Sequence, residues 1–176
     1  QVNNDFTSLE RELDSLLKTI KKDADELTKI RKSRIKEFAT LTEAALRELG
    51  LEKSVLEINL ENIERVKDDL LPYNQFGQDR VEFLIATNPG SPVKPLSKIA
   101  SGGELSRIAL AIKTTINEDI PEGVMVFDEV DSGISGRVAE TVGLKLRKLS
   151  ETKQIICVTH SPQIASKALN HFRVEK

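Results

Sequence analysis

From Phe6 onward the apolar residues of this chain keep a three-four rhythm. Phe6, Leu13, Ile20 and Leu27 recur every seven residues; Leu9, Leu16 and Ile30 hold the second seam position, where Asp23 is the one polar residue. A repeat of 3.5 residues keeps one stripe of a helix facing a partner helix, so the pattern is that of a coiled coil. After Arg31 the stripe steps by four residues and resumes through Ile35, Phe38, Ala45 and Leu49, as at a stutter. No proline interrupts it, and Gly50 stands where a C-cap glycine ends a helix. The structural alternative is an amphipathic helix packed on its own domain. About 45 helical residues reach about 65 Å, more than a domain of this size covers. Residues 1–50 are therefore expected to be one strand of a coiled-coil arm. A long solvated helix also accounts for the 31% of charged residues, which exceeds the usual quarter or so.

Beyond Leu51 the periodicity changes. Leu56, Ile58 and Leu60 alternate with Glu57, Asn59 and Glu61, and Val81, Phe83 and Ile85 repeat the alternation after the turn-like YNQFGQD. A loop, NPGSPVKP, leads to a helix expected over about Gly103 to Asn117. Then come an apolar strand Val124 to Phe127, a helix from Gly136 to Leu149, a strand Ile155 to Thr159 and a short helix after Pro162. Strands alternating with helices predict an α/β lobe over residues 51–176, its buried parallel strands reading as the apolar runs VMVF and IICV.

Several classes are set aside by composition. A net charge of −2 gives no overall nucleic-acid footprint. The only local basic run is Lys29, Arg31, Lys32, Arg34 and Lys36, which reads either as a DNA-phosphate contact or as a solvated helix face. The single cysteine, Cys157, lies in an apolar run and predicts a buried, reduced thiol in a cytoplasmic protein. No apolar stretch is long enough for a membrane span, and QVNNDF is not a signal peptide. A start without Met reads as a piece of a longer protein.

Three motifs carry chemistry. In VMVFDEVD an apolar strand delivers Asp128 and Glu129 to the carboxyl edge of a parallel sheet, where ligands bind. This is the Walker B pattern: Asp128 suits a Mg²⁺ that bridges nucleotide phosphates, and Glu129 suits the orientation and deprotonation of an attacking water. SGGELSR, Ser101 to Arg107, opens an apolar-faced helix. Gly102 and Gly103 let the backbone approach an anion, and the helix N-terminus adds donors beside the Ser101 hydroxyl. A Ser N-cap explains the same residue structurally, and Glu104 completes a capping box. In CVTHSP a strand ends at His160, at the same sheet edge as the carboxylates. A neutral imidazole there can bond a γ-phosphate oxygen or steady the water. An acidic loop and a structural histidine are the plain alternatives.

The order is more specific than any one motif. SGGE resembles the ABC signature, DEVD with the following SGIS the Walker B and D-loop, and His160 the switch histidine. FLIATNPGSPVKPLSKIASGGELSRIALAIKT, FDEVDSGISGRVAETVG and VTHSPQIAS…HFRVEK together resemble the SMC-like ABC ATPases of bacterial DNA repair, closely from about Val81 to Lys176. The resemblance implies a C-terminal lobe of an ATPase head, with residues 1–50 as the returning arm strand. It implies ATP and Mg²⁺, with Asp128, Glu129 and His160 acting in cis. Ser101, Gly102, Gly103 and Glu104 would act on nucleotide held by a second head, giving an ATP-bridged homodimer coupled to DNA, with no membrane partner. Asp131 is the expected D-loop contact, because Ser135 stands where many members have Asp. The GxxxxGK[ST] loop is absent, so the lobe is expected to need an N-terminal Walker A half and to be inactive alone. The residues leave two other readings: an ABC-type ATPase of chromosome organisation or transport, and a non-enzymatic coiled-coil protein.

Overall fold

The computed structural model describes residues 2–63, 73–99, 101–116 and 123–175, with side chains from residue 6 onward. Helix α1 runs from Val2 to Glu48, 47 residues, or about 70 Å at 1.5 Å per residue. Its C-terminal signal acts as the sequence suggests. Leu51 N–H bonds Leu46 O at 3.0 Å and Gly50 N–H bonds Arg47 O at 3.2 Å, the paired bonds of a Schellman motif. Gly50 makes this possible with φ +80°, and a Cβ there would stand 2.9 Å from Val138 Cγ1. Leu46 and Leu51 close the motif inside the core.

The heptad stripe and the stripe after the step differ in environment. Phe6, Leu9, Leu13 and Leu16 are each more than half exposed, with Ile20 at 38%. After the step, Ala45, Leu46 and Leu49 are buried and Ile35 and Phe38 half-buried. The stripe is open over the first turns and already half-covered at Leu27, before the step, where Ala24 and Thr28 are buried beside it.

The chain divides into two compact units, Gln1–Lys36 with Ile58–Glu82, and Glu37–Glu57 with Phe83–Lys176. In the first, Ile63 N–H meets Gln78 O at 2.8 Å, and Asn74 and Gly77 close the YNQFGQD turn by a reciprocal pair at 3.0 Å. Asp79, buried at the start of β2, is fastened to α1. The Thr28 hydroxyl lies 2.8 and 2.9 Å from its two oxygens, and Arg31 donates to it at 2.9 Å and to Phe76 O at 2.8 Å. One member of the basic run is thus committed to an internal ion pair.

The second unit holds the core: Leu46, Leu49, Leu56, Ile85, Ile108, Leu110, Phe127, Val130, Val142, Leu146 and Ile164 meet in one cluster. Strands β1 (Val55–Asn62), β2 (Asp79–Ala86) and β3 (Lys94–Pro95) form one sheet in that order. β3 pairs antiparallel with β2, Leu84 opposite Pro95 and Ile85 opposite Lys94. It is a two-residue strand in a segment whose prolines read as loop, and its shortness explains the absence of any alternation.

The remaining elements follow the predicted alternation: α2 (Gly102–Thr115), β4 (Val124–Phe127), α3 (Gly136–Leu149), β5 (Gln154–Cys157) and α4 (Pro162–Ala165). Asn117, the expected end of α2, lies outside the described residues. β4 and β5 are parallel, with Val126 opposite Ile156. Their faces differ. Phe127, Met125, Ile155 and Cys157 join the core, whereas Val124, Val126, Ile156 and Val158 are 47–65% exposed. No described helix is long and apolar enough to cross a membrane.

Candidate active site

The site grows from the carboxyl ends of the parallel pair. Val158 N–H bonds Phe127 O at 2.9 Å, carrying the pairing one residue past β5. Beyond it Asp128 and Glu129 leave one strand, and Thr159 and His160 the other. Asp128, Glu129 and His160 are all exposed, as groups that meet a ligand must be. Glu129 has φ 53°, the one positive φ outside glycine among the described residues. Such a backbone costs about 1–3 kcal/mol unless its surroundings hold it. Here the Glu129 carbonyl accepts the Ser132 N–H at 2.9 Å.

Helix α2 supplies the other wall. Ser101 is its N-cap, and its Oγ accepts the Glu104 N–H at 3.3 Å, so the structural explanation of this serine holds alongside any ligand role. A Cβ on Gly102 would lie 3.0 Å from Glu129 Oε2. The carboxylate therefore sits against the first turn, where the helix dipole favours negative charge. Gly103 is tighter still: a Cβ would meet Ser132 Cβ at 2.6 Å and Glu129 O at 2.8 Å. Gly103 is required by the approach of the turn after β4, whereas at Gly102 only the exposed Glu129 side chain would have to shift.

Ser106 and Arg107 fasten that approach. Ser106 Oγ donates to Asp128 O at 2.7 Å, and Arg107 NH1 donates to Ser132 O at 2.7 Å and Val130 O at 3.2 Å. Arg107 is buried, which pulls its guanidinium below its ordinary value against the opposing charge of Glu104. Its Nε is buried without a hydrogen-bond partner among the described residues. Sequence reasoning missed this clamp. The available signal was a charged residue next to Ile108 on the apolar side of α2. Arg107 also borders a cavity of about 550 Å³, together with Ser101, Glu104, Lys53, Asn88 and Ile134.

Asp131, expected to contact nucleotide, occupies a different position. Its side chain is 2% exposed, and Oδ2 accepts the Thr159 hydroxyl, the His160 N–H at 2.9 Å and the Ser161 N–H at 3.0 Å. Burial pushes the carboxyl up, but the hydrogen bonds from Thr159 and from the backbone of His160, Asp131 and Ser161 outweigh it, leaving the group below its ordinary value. The residue ties the Walker B turn to the loop that carries His160, whose Nδ1 lies 3.3 Å from the same oxygen. Ser135 caps α3 by position with no side-chain bond. Cys157 is half-buried rather than fully enclosed. Burial, with Asp131 and Asp128 nearby, pushes its thiol up to about 11, so it is a poor nucleophile.

The chain is 40% identical over 168 residues to "DNA repair protein RecN" of Halalkalibacterium halodurans, covering 96% of this chain and 29% of that protein. The Bacillus subtilis protein of the same name is 40% identical over 177 residues, covering 96% and 31%. That of Xylella fastidiosa is 49% identical over 139 residues, covering 79% and 24%. By sequence, the chain is similar to RecN proteins over most of its own length. It spans about three tenths of the length of the first two curated RecN relatives. No family model matches it. In fold, the chain resembles Smc head domains that carry a coiled coil. It superimposes with TM-score 0.58 and 20% identity on an Smc head domain with a coiled coil and joint from Pyrococcus yayanosii, covering 92% of this chain and 29% of that one. An Smc head domain with an extended coiled coil from Pyrococcus furiosus gives TM-score 0.57 and 20% identity, covering 92% and 37%.

Proposed function

We propose that this chain is the C-terminal lobe and returning arm strand of an SMC-like ATPase that acts in bacterial DNA double-strand-break repair and recombination. The observation that carries the reading is the assembly of one polar edge from three separate segments: the α2 N-terminus with Ser101 and Gly102, the β4 end with Asp128 and Glu129, and the β5 end with His160. Kinship to proteins named for DNA repair supplies the process.

In this reading Glu129 takes a proton from the water that attacks the γ-phosphate of ATP, and His160 lies beside that water. Asp128 offers an exposed carboxylate with no ion-pair partner among the described residues, which suits a hard divalent ion that keeps most of its waters. A Mg²⁺ held by Asp128 would neutralise charge on the phosphates. Ser101, Gly102, Gly103 and Glu104 cap the nucleotide of a second head, where free N–H groups and a hydroxyl meet the γ-phosphate. The phosphate-cradling loop comes from an N-terminal Walker A half, without which the lobe does not turn over ATP. ATP-bridged heads form a homodimer in the cytoplasm at the nucleoid, and the arm or the assembled heads engage DNA.

The test is made in the protein that joins this lobe to its Walker A half. Glu129→Gln is expected to lower hydrolysis by about 10²- to 10⁴-fold while leaving nucleotide binding and head dimerisation in place. Turnover at the unsubstituted rate sinks the assignment of the base. Ser101→Arg is expected to abolish ATP-driven dimerisation, measured by light scattering, while monomer binding of ATP persists. Dimerisation that survives this change removes the trans role of α2.

A further inference from the structure

We propose that Asp131 fixes the tautomer of His160, holding the proton on Nδ1 and leaving Nε2 as the nitrogen offered at the sheet edge. The inference rests on the function proposed above only for its consequence; the tautomer itself is a property of this chain.

The geometry sets one ring nitrogen beside a carboxylate and leaves the other facing outward. The backbone on both sides of the ring is pinned to one oxygen: Asp131 Oδ2 accepts the N–H of His160 at 2.9 Å and of Ser161 at 3.0 Å. The Thr159 hydroxyl meets the same oxygen, and its own Oγ1 accepts the Ser161 N–H at 3.0 Å. With the chain so held, Nδ1 lies 3.3 Å from Oδ2, on a carboxylate 2% exposed beside a ring 87% exposed. A neutral imidazole has one N–H and one lone pair. A lone pair on Nδ1 would face a negatively charged acceptor, which is repulsive, whereas a proton there is attracted to it. A neighbouring carboxylate that receives one ring N–H sets which nitrogen is protonated, as in other His–carboxylate pairs.

The consequence separates two roles that the sequence left open. With the proton on Nδ1, beside the Asp131 carboxylate, a neutral His160 presents only a lone pair at Nε2. It can accept a hydrogen bond from the attacking water but cannot donate to a γ-phosphate oxygen. Donation to phosphate requires a second proton, giving an imidazolium between the Asp131 carboxylate and the phosphate. Asp131 is thus a positioning residue, acting through His160.

The experiment is a long-range ¹H–¹⁵N correlation of the ¹⁵N-labelled chain at a pH where both imidazoles are neutral. His171 lies exposed in the C-terminal tail and serves as the internal reference. His160 is expected to show a protonated Nδ1 and a bare Nε2, the reverse of His171. In Asp131→Asn the two nitrogen resonances of His160 are expected to move toward the pattern of His171. In Thr159→Val, which keeps the carboxylate, they are expected to stay. A wild-type His160 with the same pattern as His171 overturns the proposal, as does a Thr159→Val shift as large as that of Asp131→Asn. The wild-type spectrum decides even if Asp131→Asn does not fold. Because no hydrolysis is measured, a failure here is distinct from a failure of Glu129 as the base.

Discussion

Asp131 shows how far a residue's place in a motif can differ from its work. Its position after Asp128 and Glu129 suggested contact with nucleotide, yet its carboxylate is buried and holds the following loop in place. Nothing in the sequence links Asp131 to Thr159 or Ser161, because side-chain bonds across some 30 residues leave no periodic trace. The hydrogen bonds make a testable demand. Asp131 sits below the ordinary carboxylate range, so it contributes stability above the unfolded pKa of about 3.9. That contribution disappears as pH falls through the lower folded value. Urea unfolding of wild type and Asp131→Asn is expected to show the wild type more stable at pH 7. The gap should close as the pH drops below about 4. A gap that stayed constant from pH 7 to strong acid would falsify the view that the ionised carboxylate is the stabilising form.

At the level of elements, much was legible because each signal was local. The heptads and Gly50 gave α1 and its end, and strand alternation gave β1 and β2. The apolar runs gave β4 and β5, which pair in parallel as expected. The candidate site was legible in its parts: the α2 N-cap serine, the strand-end carboxylates and the strand-end histidine. What stayed hidden was how those parts are fastened, through Ser106 and Arg107 reaching the carbonyls of Asp128, Val130 and Ser132. The glycines also changed meaning. Read as an approach for an anion, Gly103 is equally the point where α2 meets the Walker B turn, with no space for a methyl group against Glu129 O and Ser132 Cβ. Gly103→Ala is expected to destabilise the chain by about 1–3 kcal/mol, the usual cost of overpacking, seen as a lower urea midpoint. The strain is against backbone, so a smaller loss is not expected from side-chain rearrangement alone. An unchanged midpoint would show that α2 can move off the turn freely.

The molecule as a whole is set by what it leaves uncovered. Parallel strands are ordinarily covered on both faces, and in the second unit the core takes only one face of the β4–β5 pair. On the other, Val124, Val126, Ile156 and Val158 are 47–65% exposed, and among the described residues nothing covers them. Four β-branched side chains on adjacent strands form an apolar patch of the kind that marks an interface. In the proposed function, this face would seat the Walker A half. That half would complete the sheet's covering and bring its phosphate loop toward the carboxyl ends where Asp128, Glu129 and His160 emerge. Val126→Glu places a charge at the patch while leaving the Phe127 side of β4 untouched. The lobe is therefore expected to keep its circular-dichroism spectrum and urea midpoint, since the substituted side chain already faces outward. Its binding to a separately produced Walker A half, read by calorimetry, is expected to weaken at least tenfold, about 1.4 kcal/mol. Glu10→Lys, an exposed charge reversal near the N-terminus of α1, is the control expected to bind normally. If Val126→Glu binds as tightly as the unsubstituted lobe, the Walker A half docks elsewhere and the exposed valines are not its seat.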